Sequence, residues 1–506
     1  MEQLTKRILA IVIIAVIGTG IGIGAWYFLA GPETAINPYI YPGFEPEQKP
    51  LSQTLKLGLL DDMSWSGLGA WQGAYIAARR INLAGGIDIG GTTYYIGLVV
   101  EDTKEAAYDF DSAKAAANTM LGHRPHACFG GFRSEVFGVY QDIIMTGETP
   151  FLITGTATED WCKLRVGSDY DFYKYTFRVM PLNDGRMGTI IGNFLSSKIM
   201  PNITTHIGYP VNNVTIVYEN LMWTARVKAE IEKVLAANFP TVTFFSEVIP
   251  AGGLEYNYDT LWARLTGGAS KTHLIIPIIS DPTVGGQFGA RYNIYQPKAL
   301  VAGINVLCQF GPLTYMEATW SGTFSRYGGM YEVTSHGFAF VNLTSATLPF
   351  LEEYVEEYGV YPIYTTFGAN EAVNMIATVA DTYDTLDPDD FVKYLEWYNT
   401  TNTFQGTNNL YAFDQYHDYI PTDGTPAMTG YPENIFRQWQ PLNLSAPYQR
   451  YYYDAPMLPG WASGNDTAGP SVWDNYVGPM SAVTYPNIGG KPIQAYKNRL
   501  MFPHWW

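Results

Sequence analysis

The stretch of sequence that decides the fold is KLGLLDDMSWSGLGAWQGAYIAARRINLAGGIDIGGTTYYIGLVVED, residues 56–102. Its first residues, 56–60, form a mainly apolar run typical of a strand, and residues 69–82 then carry apolar side chains at helical spacing. Gly85 and Gly86 end the helix, and a second apolar run follows at 94–100. Strand, helix and strand at this spacing predict a β-α-β unit and a parallel sheet.

The same alternation continues along the chain and starts again near residue 214. The first series predicts helices at 111–121 and 136–145 and strands at 127–131 and 151–154. The second series predicts strands at 214–218, 242–248, 273–279 and 299–303 and helices at 224–238, 258–265, 286–295, 349–358 and 370–383. We therefore predict an α/β fold of two doubly wound parallel-sheet lobes joined by a hinge. Ligands bind such sheets beyond the carboxyl ends of the strands, which predicts a site between the lobes.

Composition excludes several classes of protein. Lys and Arg number 30 against 47 Asp and Glu, a net charge of −17 with no basic block, so we expect no nucleic-acid partner. The sequence lacks the HExxH, G-x-S-x-G, P-loop and CxxC motifs, and it predicts no enzyme and no cofactor. His123 and His126 have neither Cys nor carboxylate support for a metal site, so we predict none.

Cysteine content excludes a disulfide scaffold. The 3 cysteines permit one bridge at most, for which Cys162 and Cys308 are the better pair. Cys128 lies on an apolar strand, where a buried thiol behaves as a small hydrophobic side chain.

The N-terminal segment predicts the compartment. Lys6 and Arg7 precede an uncharged apolar run of 23 residues, 8–30. As a helix this run would span a bilayer core of about 30 Å, and its aromatic residues 26–28 resemble an interfacial belt. We predict an uncleaved transmembrane helix, with a cleaved signal peptide as the alternative. The basic residues before the span place the remaining chain on the extracellular side.

Features beyond the span agree with a cell-surface protein. A Pro-rich linker, 31–55, predicts a semi-rigid tether. N-x-[ST] sequons, which accept glycans only in a secretory context, predict a glycoprotein. They lie at Asn202, Asn213, Asn342, Asn399, Asn443 and Asn465.

The C-terminal segment, 445–506, shows no helix or strand period. It is rich in Trp and Tyr and poor in charge, unlike a disordered tail. We predict an ordered, irregular aromatic extension that wraps over the lobes, or that docks on a neighbouring subunit and so mediates self-association. A partly mobile end is the alternative.

Short motifs in a fixed order indicate a family. ARRINLAGGI at 78–87 is similar to an A-x-x-I-N-x-A-G-G-I signature, LVVEDT at 98–103 to L-V-V-x-D-x, and PFLITGTAT at 150–158 to P-x-I-S-P-G-A-T. YTFR at 175–178 is similar to a hinge strand, and FD at 413–414 to a late F-D pair. In these motifs the chain from residue 56 to about 442 resembles the type I periplasmic binding proteins of ABC importers, in particular the branched-chain amino-acid (Leu/Ile/Val) binding group. Each motif is weak alone, but their order and spacing cover most of the chain.

The resemblance implies a ligand site with residues from both lobes. These residues are Trp65, Arg133, Ser134, Thr156, Ala157, Thr158, Trp223, Asp281 and Asn305. In the family, the positions after the third and fourth strands bind the carboxylate and ammonium of an amino acid, and the two tryptophans fall at aromatic positions of the pocket. Helix capping by the hydroxyl residues and core packing by the tryptophans are the alternatives.

Two positions depart from the family pattern. Asn305 falls where the Leu/Ile/Val receptor has a Glu that holds the ammonium, and Asp281 falls where it has a Tyr. A buried ammonium needs an acceptor, so Asp281 would restore nearby the charge that Asn305 removes. Because Asp281 precedes Pro282, a plain turn or helix-cap role is the alternative. Arg133 adds a cation that can pair with a ligand carboxylate, and a salt bridge to Glu135 or another surface acid is the alternative.

The function that the resemblance implies is that of an extracellular, membrane-anchored solute-binding protein. It would close about a hinge on a small polar ligand, an amino acid or an amide relative, and deliver it to an ABC permease. The expected parts are an anchor or signal at 1–30, a linker at 31–55, lobe 1 at 56–182 and 338–404, lobe 2 at 183–337 and 405–444, and the extension at 445–506. The alternative is a cell-surface structural or filament protein that reuses this fold.

Overall fold

The computed structural model describes residues 37–253, 255–267, 272–309, 332–336, 344–358, 362–421, 435–440, 453–457, 502 and 506. The chain divides into an N-terminal unit, 1–39, and a main unit, 40–506. The predicted transmembrane segment, 8–30, lies outside the described residues. Among the residues that are described, no helix combines the length and the apolar character needed to cross a membrane.

The first lobe is built on a mainly parallel sheet. Its strands are β1 (Thr54–Asp61), β2 (Ile87–Ile89), β3 (Thr92–Asp102), β4 (Ala127–Gly130), β5 (Phe151–Ile153) and β6 (Thr176–Arg178). They follow the order β2-β3-β1-β4-β5-β6, and each neighbouring pair except the β2–β3 hairpin is parallel. Leu57 lies opposite Leu98 on one side and Ala127 on the other, and all three are buried, as in a sheet covered on both faces.

The second lobe carries a sheet of its own. Its parallel strands are β7 (Asn213–Glu219), β8 (Thr243–Ile249), β9 (Leu274–Ile279), β10 (Leu300–Asn305) and β11 (Val333–His336). Later in the chain, β12 (Phe404–Gln405) and β13 (Leu410–Tyr411) form a ribbon, and β14 (Ile435–Gln440) and β15 (Tyr453–Met457) join the second sheet. That sheet has the order β15-β14-β11-β10-β9-β7-β8, with the β14 and β15 pairings antiparallel.

Helices connect the strands and cover the sheets. They are α1 (Ser66–Leu83), α2 (Phe110–His123), α3 (Ser134–Thr146), α4 (Lys163–Ser168), α5 (Tyr170–Tyr173), α6 (Asp184–Phe194), α7 (Met200–Ile207), α8 (Met222–Asn238), α9 (Tyr258–Thr266), α10 (Pro282–Tyr295), α11 (Thr347–Tyr358), α12 (Tyr364–Tyr383) and α13 (Pro388–Trp397). A π-helical turn, Leu195–Ile199, joins α6 to α7.

Two segments differ from their prediction. The strand β15 lies in the extension that we predicted to be irregular, and Pro456 within it explains the weak sequence signal, because proline is unfavourable inside strands. Apart from β15 and residues 502 and 506, the extension lies outside the described residues. The linker is part of the first lobe from Ile40 onward: Ile40 and Leu98 exchange two backbone hydrogen bonds of 2.9 Å, and Tyr41 is fully buried.

The chain returns to the first lobe through α11, α12 and α13. α12 lies directly against α1, where a side chain in place of Gly73 would collide with the carbonyl oxygen of Thr366. Asn370 of α12 donates to the Gly73 carbonyl (3.1 Å) and accepts from the Thr407 hydroxyl (2.8 Å). The ribbon at 404–411, which we predicted in the second lobe, therefore contacts the first.

A buried arginine lies at the end of the last strand of the first sheet. Arg178, at the end of β6, is fully buried, and its Nε donates to Asp418 Oδ1 over 2.7 Å. The other oxygen of Asp418 accepts from the Asn183 amide (2.9 Å). Asp418 thus links Arg178, at the end of β6, to Asn183, which directly precedes α6. The sequence motif at 175–178, which predicted a hinge strand, contains β6.

Glu371 of α12 gives the first lobe a pH-dependent stability. Burial raises the pKa of Glu371 from 4.5 to about 7, against the opposing hydrogen bonds of the Thr407 and Asn408 backbone. The folded carboxyl keeps its proton in a range where the unfolded one has lost it. Its contribution to the free energy of unfolding therefore falls as the pH rises from about 4.5 to about 7, by up to about 3 kcal/mol.

Glu371→Gln should remove this dependence. We expect wild type to lose up to about 3 kcal/mol of unfolding free energy relative to Glu371→Gln as the pH rises from about 4.5 to about 7, measured by urea unfolding at several pH values. Glu352→Gln, at an exposed position of α11, is the control and should keep the wild-type profile. Identical pH profiles for wild type and Glu371→Gln would contradict the assignment.

Candidate functional site

The carboxyl ends of the parallel strands of both lobes face one cleft. From the first lobe, β4 leads through the turn 131–133 into α3, and β5 leads into residues 154–158. From the second lobe, β7 ends at Glu219 before α8, and β9 leads through Ser280 into α10. This is the edge at which parallel α/β sheets bind ligands.

Arg133 reaches across the cleft from the first lobe to the second. Gly130 and Gly131 both have positive φ, +128° and +79°, and this turn after β4 brings Arg133 to the N-terminus of α3. Its Nη1 lies 3.2 Å from Ser280 Oγ, and its Nη2 lies 3.0 Å from Asp281 Oδ2. The Arg133 side chain is only 3% exposed, so the ion pair with Asp281 is buried at its cationic end.

A fully buried carboxylate shapes the receiving loop of the second lobe. Glu219 Oε2 accepts hydrogen bonds from the Ser280 N–H (2.5 Å), the Ser280 hydroxyl (3.0 Å) and the Asp281 N–H (3.1 Å). Asp281 caps α10, because its Oδ1 accepts from the N–H groups of Thr283 (2.8 Å) and Val284 (3.2 Å). The other oxygen, Oδ2, is left to face Arg133.

A second buried carboxylate positions Arg133 from behind. Glu105 Oε2 accepts from the backbone N–H of Phe132 (2.8 Å) and from that of Arg133, and Tyr140 donates to its Oε1 (3.0 Å). Burial raises the pKa of Glu105, and these backbone hydrogen bonds oppose the rise. Glu105 therefore holds the main chain of the turn that carries Arg133. The guanidinium takes no part in these hydrogen bonds and remains available to the cleft.

The electrostatics of the cleft favour a charged guanidinium. Burial alone would lower the pKa of Arg133, but the field of Tyr108, Glu219, Asp281 and Glu135 raises it above its ordinary value. The guanidinium also lies 5.2 Å from the ring centre of Tyr108 and 5.3 Å from that of Phe132, a cation–π arrangement. Its Nε is buried and has no hydrogen-bond partner in the described part of the chain.

A cavity lies beside this pair. Its polar lining consists of Arg133, Ser134, Glu135, Ser280 and Ser335, and its apolar lining of Phe132, Gly155, Ala157, Pro181, Met187, Leu221, Trp223, Ile304, Val306 and Tyr364. The cavity volume is about 40 Å³, room for a few water molecules.

The structure brings several of the predicted site residues together. Arg133, Ser134, Ala157 and Trp223 line the cavity. Thr156 lies directly behind Ser134, with 2.6 Å between the two hydroxyl oxygens. Asp281 lies beside the cavity, where it forms an ion pair with Arg133. The partner of Arg133 is therefore Asp281 and not Glu135.

Like Thr156 and Asp281, the other three predicted residues do not line the cavity. Trp65 packs edge-on against Phe132, with 4.7 Å between ring centres, and so supports the wall from behind. Thr158 is buried, and its carbonyl accepts from Arg178 Nη2 (2.6 Å). Asn305 turns toward its own lobe, where Oδ1 accepts from the Leu307 N–H (3.2 Å) and Nδ2 lies 3.5 Å from the Gly285 carbonyl oxygen.

Sequence reasoning missed Glu105, Glu219, Ser280 and Tyr364. Glu219 had a usable signal, since it is an acid at the carboxyl end of a buried apolar strand, at the edge where a site was expected. Glu105 had none, because its partners Phe132 and Arg133 are 27 and 28 residues away in sequence. Tyr364 begins α12, and its hydroxyl donates to the Gly155 carbonyl over 3.1 Å.

Two further contacts join the lobes near the cleft. Glu135 Oε1 accepts from the backbone N–H of Met222 at the start of α8 (2.7 Å). Arg226 of α8 pairs with Glu159 and, over 3.1 Å, with Asp160 in the first lobe. Polar contacts thus connect the lobes at Arg133, Glu135 and Arg226.

The remaining predicted chemistry lies elsewhere. Cys128 and Cys162 are buried free thiols, so the suggested Cys162–Cys308 bridge is not formed. His123 lies 2.8 Å from Glu101, and His126 Nδ1 accepts from the Lys56 N–H (3.1 Å). Of the sequons, Asn202 is exposed and Asn213 and Asn399 are partly exposed, while the other three, at 342, 443 and 465, lie outside the described residues.

Comparison with known proteins identifies the fold. No protein-family model matches the sequence, and none of the curated proteins compared matches it. The substrate-binding protein LivJ of a branched-chain amino acid transporter from Streptococcus pneumoniae, in complex with isoleucine, matches with a TM-score of 0.60 at 17% identity over 80% of this chain and 99% of that one. The leucine-binding protein LivK from Thermotoga maritima matches with a TM-score of 0.58 at 12% identity, over 76% and 95%.

An ABC-transporter solute-binding protein from Rhodopseudomonas palustris, in complex with 3,4-dihydroxybenzoic acid, matches with a TM-score of 0.58 at 13% identity, over 80% of this chain and 97% of that one. At such identities the likeness shows the fold alone. The predicted fold of the two lobes, that of type I periplasmic binding proteins, is confirmed.

The buried pair of Arg133 and Asp281 makes a prediction about stability. Asp281→Asn keeps a helix-capping side chain but removes the charge, so we expect the free energy of unfolding to fall by about 3 kcal/mol. Arg133→Met added to Asp281→Asn should recover part of that loss, because no unpaired guanidinium then remains. Urea unfolding of the single and double variants measures both effects.

Asp259→Asn is the matched control, since Asp259 pairs with Arg291 in the same lobe but its side chain is 60% exposed. We expect it to cost less than about 1 kcal/mol. Equal losses for Asp259→Asn and Asp281→Asn would show that the cleft pair is not buried in solution.

Proposed function

We propose that this protein is the solute-binding component of an ABC importer and that it captures a small ligand bearing a carboxylate in the cleft between its lobes. The observation that carries the proposal is the buried guanidinium of Arg133 in the cavity wall. A planar guanidinium is the side chain best suited to bind a carboxylate, and here it faces a mainly apolar chamber.

Hinge motion is the mechanism of capture. A ligand enters when the lobes separate, and its carboxylate takes hydrogen bonds from Arg133 in competition with Asp281. Ser134 lies at the start of α3, where a hydroxyl and the helix N-terminus add to the attraction for an anion. Closure then buries the ligand against Trp223 and Leu221 of the second lobe.

Ligands of structural neighbours support a carboxylate. Isoleucine and 3,4-dihydroxybenzoic acid, bound to two of them, share a carboxyl group on an apolar body. The cleft of this protein offers the same combination, a cation beside aromatic and aliphatic walls. An amino acid or a relative of one is therefore the ligand class that we propose.

Membrane attachment completes the proposal. The apolar run at 8–30, with Lys6 and Arg7 before it, would anchor the lobes at the extracellular face of the membrane. A binding protein held there can pass its ligand to a permease in the same membrane. The exposed sequon at Asn202 would accept a glycan at that location.

A ligand screen tests the function. We expect at least one amino acid or small carboxylate to raise the thermal stability of the purified full chain, by about 2.7 kcal/mol when its concentration is 100 times Kd. The corresponding amides should shift it less, because they carry no charge for Arg133. Arg133→Ala should abolish the shift for every carboxylate.

Arg264→Ala is the control, since Arg264 pairs with Glu247 on the surface of the second lobe. It should respond to ligand as wild type does. If no compound in the panel stabilises the wild-type chain, the solute-binding function is wrong and a structural cell-surface role is favoured. If a carboxylate binds Arg133→Ala as tightly as wild type, Arg133 is not its receptor.

A further inference from the structure

We propose that Asn399 carries a glycan whose first sugar stacks on the exposed ring of Trp397 and covers it. The inference goes beyond ligand capture. It rests on the extracellular location in the proposed function, because asparagine receives glycans on chains that enter a secretory route. The sequence alone does not rank the six sequons, whereas the structure places Asn399 beside an aromatic surface.

Three aromatic rings form this surface on the first lobe. Tyr383 ends α12, and Tyr394 and Trp397 belong to the last turns of α13. The rings of Tyr383 and Tyr394 stack with 3.5 Å between their centres, and the ring of Trp397 lies 6.3 Å from each. Lys393 Nζ lies over Tyr394, 4.5 Å from its ring centre. The Trp397 side chain is 52% exposed, so its indole is the ring of the three most open to solvent.

The sequon lies next to the exposed indole. Asn399 follows Trp397 by two residues, and Tyr398 between them is buried, so both side chains leave the chain toward solvent. Asn399 and Asn402 exchange two backbone hydrogen bonds, of 2.9 and 3.0 Å, in a tight turn. The Asn402 amide lies 3.4 Å from the Trp397 carbonyl oxygen and ties this turn to the end of α13.

The Asn399 side chain is fixed through its oxygen. The N–H and the hydroxyl of Thr401 donate to Asn399 Oδ1 over 2.9 and 2.7 Å. Both contacts use Oδ1, and neither uses Nδ2, the atom to which a glycan is attached. Thr401, whose hydroxyl completes the sequon, is itself exposed.

The other two described sequons have different surroundings. Asn202 lies within α7, and its Nδ2 donates to the Lys198 carbonyl over 2.8 Å. Asn213 begins β7, and Thr215, the hydroxyl residue of its sequon, is buried in that strand. Of the three, Asn399 is the one in a tight turn two residues from an exposed tryptophan.

The chemistry of the attachment determines where the sugar lies. Asn399 Nδ2 loses a proton and bonds the anomeric carbon of a phosphate-activated sugar, supplied with its transferase by the cell. The bond from that carbon to the phosphate oxygen breaks, and the phosphate leaves with the bonding electrons. The face of an indole carries partial negative charge and attracts the polarised C–H groups of a sugar ring. The first sugar, held two residues away, can therefore pack on Trp397.

Oxidative footprinting tests the stacking. The full chain, purified from the cells in which it occurs, would be exposed to hydroxyl radicals, and oxidation at Trp397 would be measured by peptide mass spectrometry. We expect the Asn399 peptide to carry the mass of a glycan. Thr401→Val, made in the same cells, should lack that mass, and its Trp397 should be oxidised severalfold faster than in wild type.

Two controls accompany the comparison. Thr401→Ser keeps the hydroxyl and the sequon, so it should keep both the glycan and the slow oxidation of Trp397. Tyr209, which is 51% exposed in the second lobe, should be oxidised at one rate in all variants. The melting temperature reports whether Thr401→Val folds. If it does not, Asn399→Gln supplies the chain without a glycan, and the same fast oxidation is expected.

The contrary outcomes leave the solute-binding function to its own test. An unmodified Asn399 in the native chain overturns the proposal, and so does equal oxidation of Trp397 with and without the glycan. Neither result bears on ligand capture, which the ligand screen decides through the cleft. If Asn202 carries a glycan and Asn399 does not, the proposal fails while the extracellular location stands.

Discussion

A positive charge buried between two lobes is the constraint on which the cleft depends. The guanidinium of Arg133 has almost no contact with water, and an unpaired ion in that position would cost several kcal/mol. Asp281 and Ser280 approach it from the second lobe, and the rings of Tyr108 and Phe132 lie against it from the first. The lobes can therefore separate favourably only if another anion, or water, replaces Asp281 beside Arg133.

Two buried glutamates, one in each lobe, support this arrangement in the same way. Glu105 binds the backbone N–H groups of Phe132 and Arg133, and Glu219 binds those of Ser280 and Asp281. Each carboxylate fixes the main chain of a turn that follows a strand, and each turn then directs its polar side chain into the cleft. Arg133 and Asp281, the charged residues that face the cleft, are therefore positioned by Glu105 and Glu219, two buried acids that a ligand would not contact.

Local patterns in the sequence were sufficient for most of the regular structure. The helix predicted at 69–82 is observed as Ser66–Leu83, and the strand predicted at 214–218 as Asn213–Glu219. The prediction ended one residue before Glu219, the acid that shapes the second-lobe turn. α6 and α7 were not predicted, because glycines and a π-helical turn interrupt their apolar period.

Site residues could be predicted from the sequence where the position of the backbone places them in the cleft. They could not be predicted where the direction of the side chain determines whether they reach it. Arg133, Ser134, Ala157 and Trp223, which the family resemblance implied, follow strands or begin helices, and these backbone positions lie at the cleft. Asn305 also ends a strand, but its amide turns to groups of its own lobe, which no local pattern reveals. The role of Glu105 depends on a contact across many residues of sequence, and such contacts follow from tertiary structure alone.

The distance between the lobes tests most directly whether Arg133 holds the cleft together. Spin labels at Leu83→Cys in the first lobe and Ile294→Cys in the second, both over 60% exposed, would report it once the native cysteines are replaced by alanine. With Arg133 present, the labels should show one narrow distribution of distances, and Arg133→Ala should broaden it and shift it to longer values. An unchanged distribution in Arg133→Ala would contradict the central role of the buried guanidinium.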